Sequence, residues 1–204
     1  MSIPGYFLYK NITILQNENI FDPFTKLIKT YKPQRILEIG TASGGLSLLL
    51  RDLLNVNGCK DTTLRTYDIV SGDWSRSDVF IEAIKTCNIE SFLKNIFTPD
   101  YSALQDITCA DYIQSKGTTL VLCDGGNKTS EFNILSKYLK TGDIIMAHDY
   151  AYSREIFNEQ ICNKFWNYCE IIEADIDAAV KQYNLFDTLC EEFAHVGWCC
   201  KIKK

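Results

Sequence analysis

The chain has 204 residues, 46% hydrophobic and 23% charged, the balance of a globular protein able to bury one substantial core. Its formal net charge of −5 excludes a surface built as a whole for polyanions, and the short basic run Lys201-Ile202-Lys203-Lys204 reads as a solvated end. No apolar window reaches the length of a membrane span, Met1 to Tyr6 lacks the organisation of a signal peptide, and nine cysteines without a C-x-x-C spacing read as reduced core residues, so a cytoplasmic protein is expected.

No linker or repeat divides the chain, which reads as one domain over 1–204, a cap segment (1–33) preceding a core (34–204). The cap either closes over a substrate or packs as an edge element. A β-rich run at Arg35–Ile39 follows Lys32-Pro33 and ends at Gly40. The next stretch carries Leu46, Leu49, Leu50, Leu53 and Leu54 at helical spacing. Residues 64–70 read as a second strand containing Asp68, 78–87 as helix, 91–97 as a third strand and 101–113 as helix. The apolar, β-branched run 118–123 suits a buried central strand and ends in Asp124-Gly125-Gly126. A helix over 130–139 leads through Thr141-Gly142 to a strand at 143–147, ended by His148-Asp149. A helix opening at Ser153 reaches Trp166, and strands at 170–174 and 194–202 flank a weak helix at 176–183. The alternation predicts an α/β fold: a doubly wound, Rossmann-like, seven-stranded and mostly parallel sheet with helices on both faces. Ligands of such sheets bind beyond the carboxyl ends of the strands, which here carry Gly40, Asp68, Phe97, Asp124 and Asp149.

A strand that turns straight into a helix needs a permissive backbone, which Gly40 supplies, while Gly44 and Gly45 let a ligand or the sheet approach without a side chain in the way. Their spacing is not the G-x-G-x-x-G of a dinucleotide cradle, and Glu38 would face an anionic phosphate unfavourably. A cationic, phosphate-free ligand suits the turn better. Glu38-x-Gly40-x-x-x-Gly44 resembles the first motif of class I S-adenosylmethionine (SAM)-dependent methyltransferases. The longer string from Lys32-Pro33 through Ile36-Leu37-Glu38-Ile39-Gly40-Thr41-Ala42-Ser43-Gly44-Gly45-Leu46-Ser47 resembles the branch containing cephalosporin hydroxylase-like, rhamnosyl and macrocin-type O-methyltransferases. The resemblance implies that Glu38, Gly40, Thr41, Ala42, Ser43 and Gly44 hold the methionine part of SAM, and that adenine contacts come from the third strand end. Phe97 there reads as either core or adenine contact. Asp68, with Ile69 beside it, lies 28 residues beyond Gly40 at the next strand end, where an acid can accept both ribose hydroxyls. Asp73 and Trp74 follow in the same loop, and Trp74 either covers the adenine or packs.

Asp124 and Asp149 end neighbouring strands and should face one cleft. Two converging carboxylates can hold a hard cation such as Mg²⁺, which would acidify and orient a substrate hydroxyl. The resemblance implies both as metal ligands, with Asp124 also beside SAM. Tyr150 and Asn127 stand where relatives have an acid and a histidine, which leaves the need for Mg open. His148 is a candidate general base or substrate contact, or a structural strand-end histidine. His195 reads as structural, and Glu170, Glu173, Asp175 and Asp177 read as a solvated face, the alternative being a cap over the cleft. The expectation is a SAM-dependent methyltransferase (EC 2.1.1.-) that methylates a hydroxyl of a small molecule such as a sugar or natural product. Asp124, His148 and Asp149 carry the chemistry, with neither nucleic acid nor membrane as partner. An NAD(P)-dependent oxidoreductase and a non-catalytic SAM-binding protein are the rivals. The methyl acceptor and the question of a homo-oligomer stay open.

Overall fold

The computed structural model describes residues 5–69 and 76–204. A hairpin of β1 (Phe7–Tyr9) and β2 (Ile12–Ile14) comes first, turned by Lys10 and Asn11 in the left-handed region. In β2 the period of two buries Ile12 and Ile14 and leaves Thr13 between them at the surface side. Helix α1 (Phe21–Tyr31) buries Phe24, Leu27 and Ile28, the i, i+3, i+4 stripe of an amphipathic helix. It stops at Lys32, which turns left-handed just before Pro33.

Strands and helices then alternate: β3 (Arg35–Ile39), α2 (Gly45–Val56), β4 (Thr63–Asp68), α3 (Asp78–Ile84), β5 (Ile89–Leu93), α4 (Ile107–Gln114), β6 (Thr119–Cys123), α5 (Lys128–Leu135) and β7 (Ile144–His148). Beyond β7 come β8 (Tyr150–Ala151), α6 (Arg154–Ile156), β9 (Ile171–Ile172), α7 (Glu173–Gln182), β10 (Leu185–Asp187), α8 (Cys190–Ala194) and β11 (Trp198–Lys203). The central sheet runs β10-β11-β7-β6-β3-β4-β5. Its β7-β6-β3-β4-β5 portion is parallel, β11 returns antiparallel to β7, and β10 pairs antiparallel with β11 at the edge.

Both faces of the sheet are covered, so its middle strands are buried almost throughout. Along β6, Leu120 and Leu122 point into one core layer with Phe24 and Leu50, while Val121 and Cys123 point into the other with Phe132 and Leu135. Each such fully buried side chain contributes roughly 2 kcal/mol relative to exposure.

The seven-stranded, mostly parallel sheet is as anticipated, but its membership differs. Residues 170–174 do not join it: Ile171 and Ile172 pair with β8 in a separate two-stranded ribbon. The seventh strand is β10, which pairs antiparallel with β11 and buries Leu185 alone of its three residues. The third strand lies at Ile89–Leu93, earlier than 91–97. The helix expected from 101 starts only at Ile107, where Asp106 accepts from the Thr108 amide as its cap. The helix expected to reach Trp166 is one short α-turn that widens into a π-turn at Phe157–Ile161. The weak helix near 176 is the well-formed α7. Among the described residues no helix is long and apolar enough to cross a membrane.

Candidate active site

β3 is flanked by β4 on one side and β6 on the other, which makes its carboxyl end the point where strand order reverses and where open α/β sheets bind ligands. Gly40 sits there with φ +95°, and a Cβ at this position would collide with the Asp124 carbonyl. Glycine is therefore required both by the backbone angle and by the approach of two strand ends. A cleft of about 710 Å³ opens above this junction, within the range of roughly 300–1,000 Å³ typical of small-molecule sites.

The turn after β3 contributes Gly40, Thr41 and Ala42 to the cleft wall. Ala42, left-handed at φ +44°, donates its N–H to Asp68 Oδ2 at 2.6 Å. The acid at the end of β4 thus pins the turn while lining the cleft with Ile69. Glu38, Ser43 and Gly44 do not line it. Glu38 is fully buried beneath the turn and accepts from the Ser47 hydroxyl on α2. Burial pushes its carboxyl up to about 7, against the lowering effect of Ser47. Gly44 makes room for the Phe80 ring and serves packing, whereas Gly45 makes room for Ile14 and the Thr13 carbonyl of the hairpin and also lines the cleft. Asp73 and Trp74 lie outside the described residues.

The far end of the cleft is apolar. Ile96 and Phe97 line it, with Tyr101 stacked on Phe97 at a centroid distance of 5.4 Å. Phe97 is 2% exposed and belongs to the core while forming this wall.

The opposite end is charged. Asp124 follows β6, and His148 with Asp149 closes β7. Asp149 adopts φ +56°, a left-handed angle that Asp tolerates better than most residues. Its Oδ1 accepts from Trp166 Nε1 at 2.6 Å and its Oδ2 lies 3.1 Å from Lys128 Nζ. Burial raises the Asp149 carboxyl, but His148, Lys128 and the Trp166 bond outweigh it and hold the pKa below the usual value. Asp124 Oδ1 lies 3.0 Å from His148 Nδ1, and its Oδ2 accepts from Gln16 Nε2 at 2.6 Å. Burial dominates here and leaves its pKa raised despite His148 and Lys128.

The His148 ring is 2% exposed, packed between the indoles of Trp166 and Trp198 at 5.0 and 4.9 Å. Its Nε2 has no hydrogen-bond partner among the described residues. We assign the proton to Nδ1, since the opposite tautomer would bury an unpaired N–H. The imidazole therefore backs Asp124 and does not project into open space.

Asp124 and Asp149 do face one cleft, but their oxygens are occupied by N–H donors of Gln16, His148, Trp166 and Lys128. Among the described residues no group of three or more His, Cys, Asp or Glu side chains is placed to hold a metal ion. The arrangement does not fit a divalent cation.

Three contributors escape a reading of the sequence. Gln16 and Trp166 come from irregular segments with no period to place them. Lys128 had one signal, a lysine in the first turn of a helix, where the macrodipole disfavours positive charge unless a carboxylate compensates.

Solved structures of methyltransferases share this fold. The apo form of CmcI shares it with a TM-score of 0.64 at 13% identity, over 97% of this chain and 77% of that one. CmcI with Mg and SAM gives 0.62 at 13% identity, over 96% and 76%. A caffeoyl-CoA O-methyltransferase-like protein from Staphylococcus aureus gives 0.56 at 14% identity, over 96% and 87%. No family model matches the sequence, and no curated protein matches it.

Proposed function

We propose that this protein is a SAM-dependent O-methyltransferase acting on a small hydroxylated molecule, a sugar or natural product. One observation carries the reading: around Gly40 a single cleft joins the loop-pinning Asp68, with its apolar neighbour wall, to a half-buried acid at the end of the adjacent strand. These residues fit SAM. Asp68 would take the ribose hydroxyls, the Ile96–Phe97–Tyr101 wall the adenine, and the Gly40–Ala42 turn the methionine part. SAM, when bound, supplies an electrophilic methyl group on an excellent leaving group, which leaves the protein to position the acceptor and remove its proton. Asp124 suits that task, since it lines the cleft and burial makes it more basic than an ordinary aspartate. His148 positions Asp124 through the Nδ1 hydrogen bond, and Gln16 fixes its second oxygen. Trp166 and Tyr168 line the acceptor end of the cleft.

Calorimetric titration with S-adenosylhomocysteine tests the ligand assignment. One site is expected, weakened at least tenfold by Asp68→Ala, and no binding at millimolar ligand would refute it. Asp124→Asn is expected to keep that affinity and to lose methyl transfer.

A further inference from the structure

The acid end of the cleft already contains a cation. Lys128 is the first residue of α5, and its side chain is only 7% exposed. Its Nζ lies 2.9 Å from Glu170 Oε2, 3.1 Å from Asp149 Oδ2 and 3.1 Å from the Gly125 carbonyl oxygen, with Asp124 Oδ1 at 4.0 Å. An ammonium has three N–H donors and no acceptor; here it donates to Glu170 and to the Gly125 carbonyl and forms a close ion pair with Asp149. Carboxylates together with a main-chain carbonyl are also the donor set that a hard divalent ion selects. We propose that Lys128 is the resident cation of this site, so that the protein binds no divalent metal there and its reaction needs none; only the clause on reaction rests on the methyltransferase reading.

Two further features support this. The aspartate oxygens that Lys128 does not engage are already held by donors: the Trp166 indole N–H on Asp149 Oδ1, Gln16 on Asp124 Oδ2 and His148 on Asp124 Oδ1. An indole N–H is a donor only, so it cannot turn round and ligate. The lysine also remains charged. Burial alone would lower its pKa, but Asp124, Asp149 and Glu170 more than compensate and hold it above the ordinary lysine value. A consequence for the acceptor follows. A metal favours substrates that chelate it through two adjacent oxygens, whereas here the acceptor meets Asp124 and a cation whose donors are engaged. A single hydroxyl is enough.

The test is a Mn²⁺ titration followed by electron paramagnetic resonance, on the whole chain with and without S-adenosylhomocysteine. Mn²⁺ serves as the paramagnetic probe for oxygen-ligand sites. The unaltered protein is expected to leave the free-ion signal undiminished into the millimolar range. Lys128→Met, which keeps the length of the side chain and removes the charge, is expected to gain one equivalent of bound Mn²⁺. Uptake of one equivalent by the unaltered protein, abolished by Asp149→Asn, would overturn the proposal, as would a folded Lys128→Met that binds none. If Lys128→Met does not fold, Lys128→Gln is titrated in its place under the same criteria. A chain that binds neither Mn²⁺ nor S-adenosylhomocysteine supports the resident cation and counts against the methyltransferase reading; one that binds both overturns the resident cation alone.

Discussion

Gly40 and Gly126 lie close together in the site and make opposite demands on it. At Gly40 the left-handed φ and the Asp124 carbonyl both act against a side chain, whereas at Gly126 an added Cβ meets nothing within reach among the described residues. Gly40→Ala should therefore destabilise the fold by at least about 2 kcal/mol, combining backbone strain with a main-chain collision. Gly126→Ala should stay within about 0.5 kcal/mol of the parent. Urea unfolding of the two variants measures the difference, and equal midpoints would show that the two strand ends can part. The same residue-scale view explains Glu38. From the sequence it is an acid in the mouth of a ligand turn, matched to a cationic ligand. In the structure the acid reaches the ligand region only through the architecture it supports, by its bond to Ser47. A motif records which residue types occur at a strand end, but the direction of the side chain depends on strand phase, and β3 here has all of Ile36 to Ile39 buried, so no alternation marks which face Glu38 takes.

Elements decided how much of the fold could be read beforehand. β3, β6 and β7 are mostly apolar, buried runs in the middle of the sheet, interrupted in β3 by Glu38, and their positions follow from the sequence to within a residue or two because such runs have few other uses. The edge was harder. β10 has three residues and a single buried side chain, so it carries no periodic signature and is held by its pairing to β11. The pair β8–β9 is shorter still, and its apolar Ile171 fills the core under α7 without entering the main sheet. The site divided along similar lines. Its strand-end members, Gly40, Asp68, Asp124, His148 and Asp149, follow from topology, but Gln16, Lys128 and Trp166 arrive on elements whose docking the sequence does not specify. The hairpin and its following loop illustrate the point. Gln16 is 2% exposed, donates to Asp124 and accepts from Trp198 Nε1 at 2.8 Å, tying the cap segment to both β6 and β11. Gln16→Ala leaves a buried indole N–H unpaired and should lower stability by roughly 2 kcal/mol. It should also slow methyl transfer more than it weakens S-adenosylhomocysteine binding, since Gln16 touches the proposed base and not Asp68. Equal losses in turnover and in ligand affinity would instead place the cap over the cofactor.

At the scale of the whole molecule, buried acids give stability an unusual pH dependence. Glu38 and Glu131 are both raised to about 7, chiefly by burial. Glu131 is placed at the site itself, accepting from the Gly125 and Asn127 amides that follow Asp124. Asp124 is raised as well. A carboxyl whose folded pKa exceeds its unfolded value binds its proton more tightly when folded. The stabilisation is complete below the unfolded pKa and is lost as pH rises through the folded one. For Glu38 and Glu131 that window runs from about 4.5 to about 7, and each group carries roughly 3 kcal/mol across it. Asp149 has the opposite sign, but its depressed pKa acts only at pH below the ordinary aspartate range, and Lys128, raised above 10.5, acts only in strong base. Neither opposes the trend near neutrality. The melting temperature should therefore fall between pH 5 and pH 8. Glu38→Gln removes one titrating group while keeping an acceptor for Ser47, and should flatten the profile by lifting its alkaline side relative to the parent. Melting curves of both proteins at several pH values decide it: parallel profiles would mean that Glu38 stays ionised in the folded chain and that a proton on it plays no part in holding the strand end beneath the cleft.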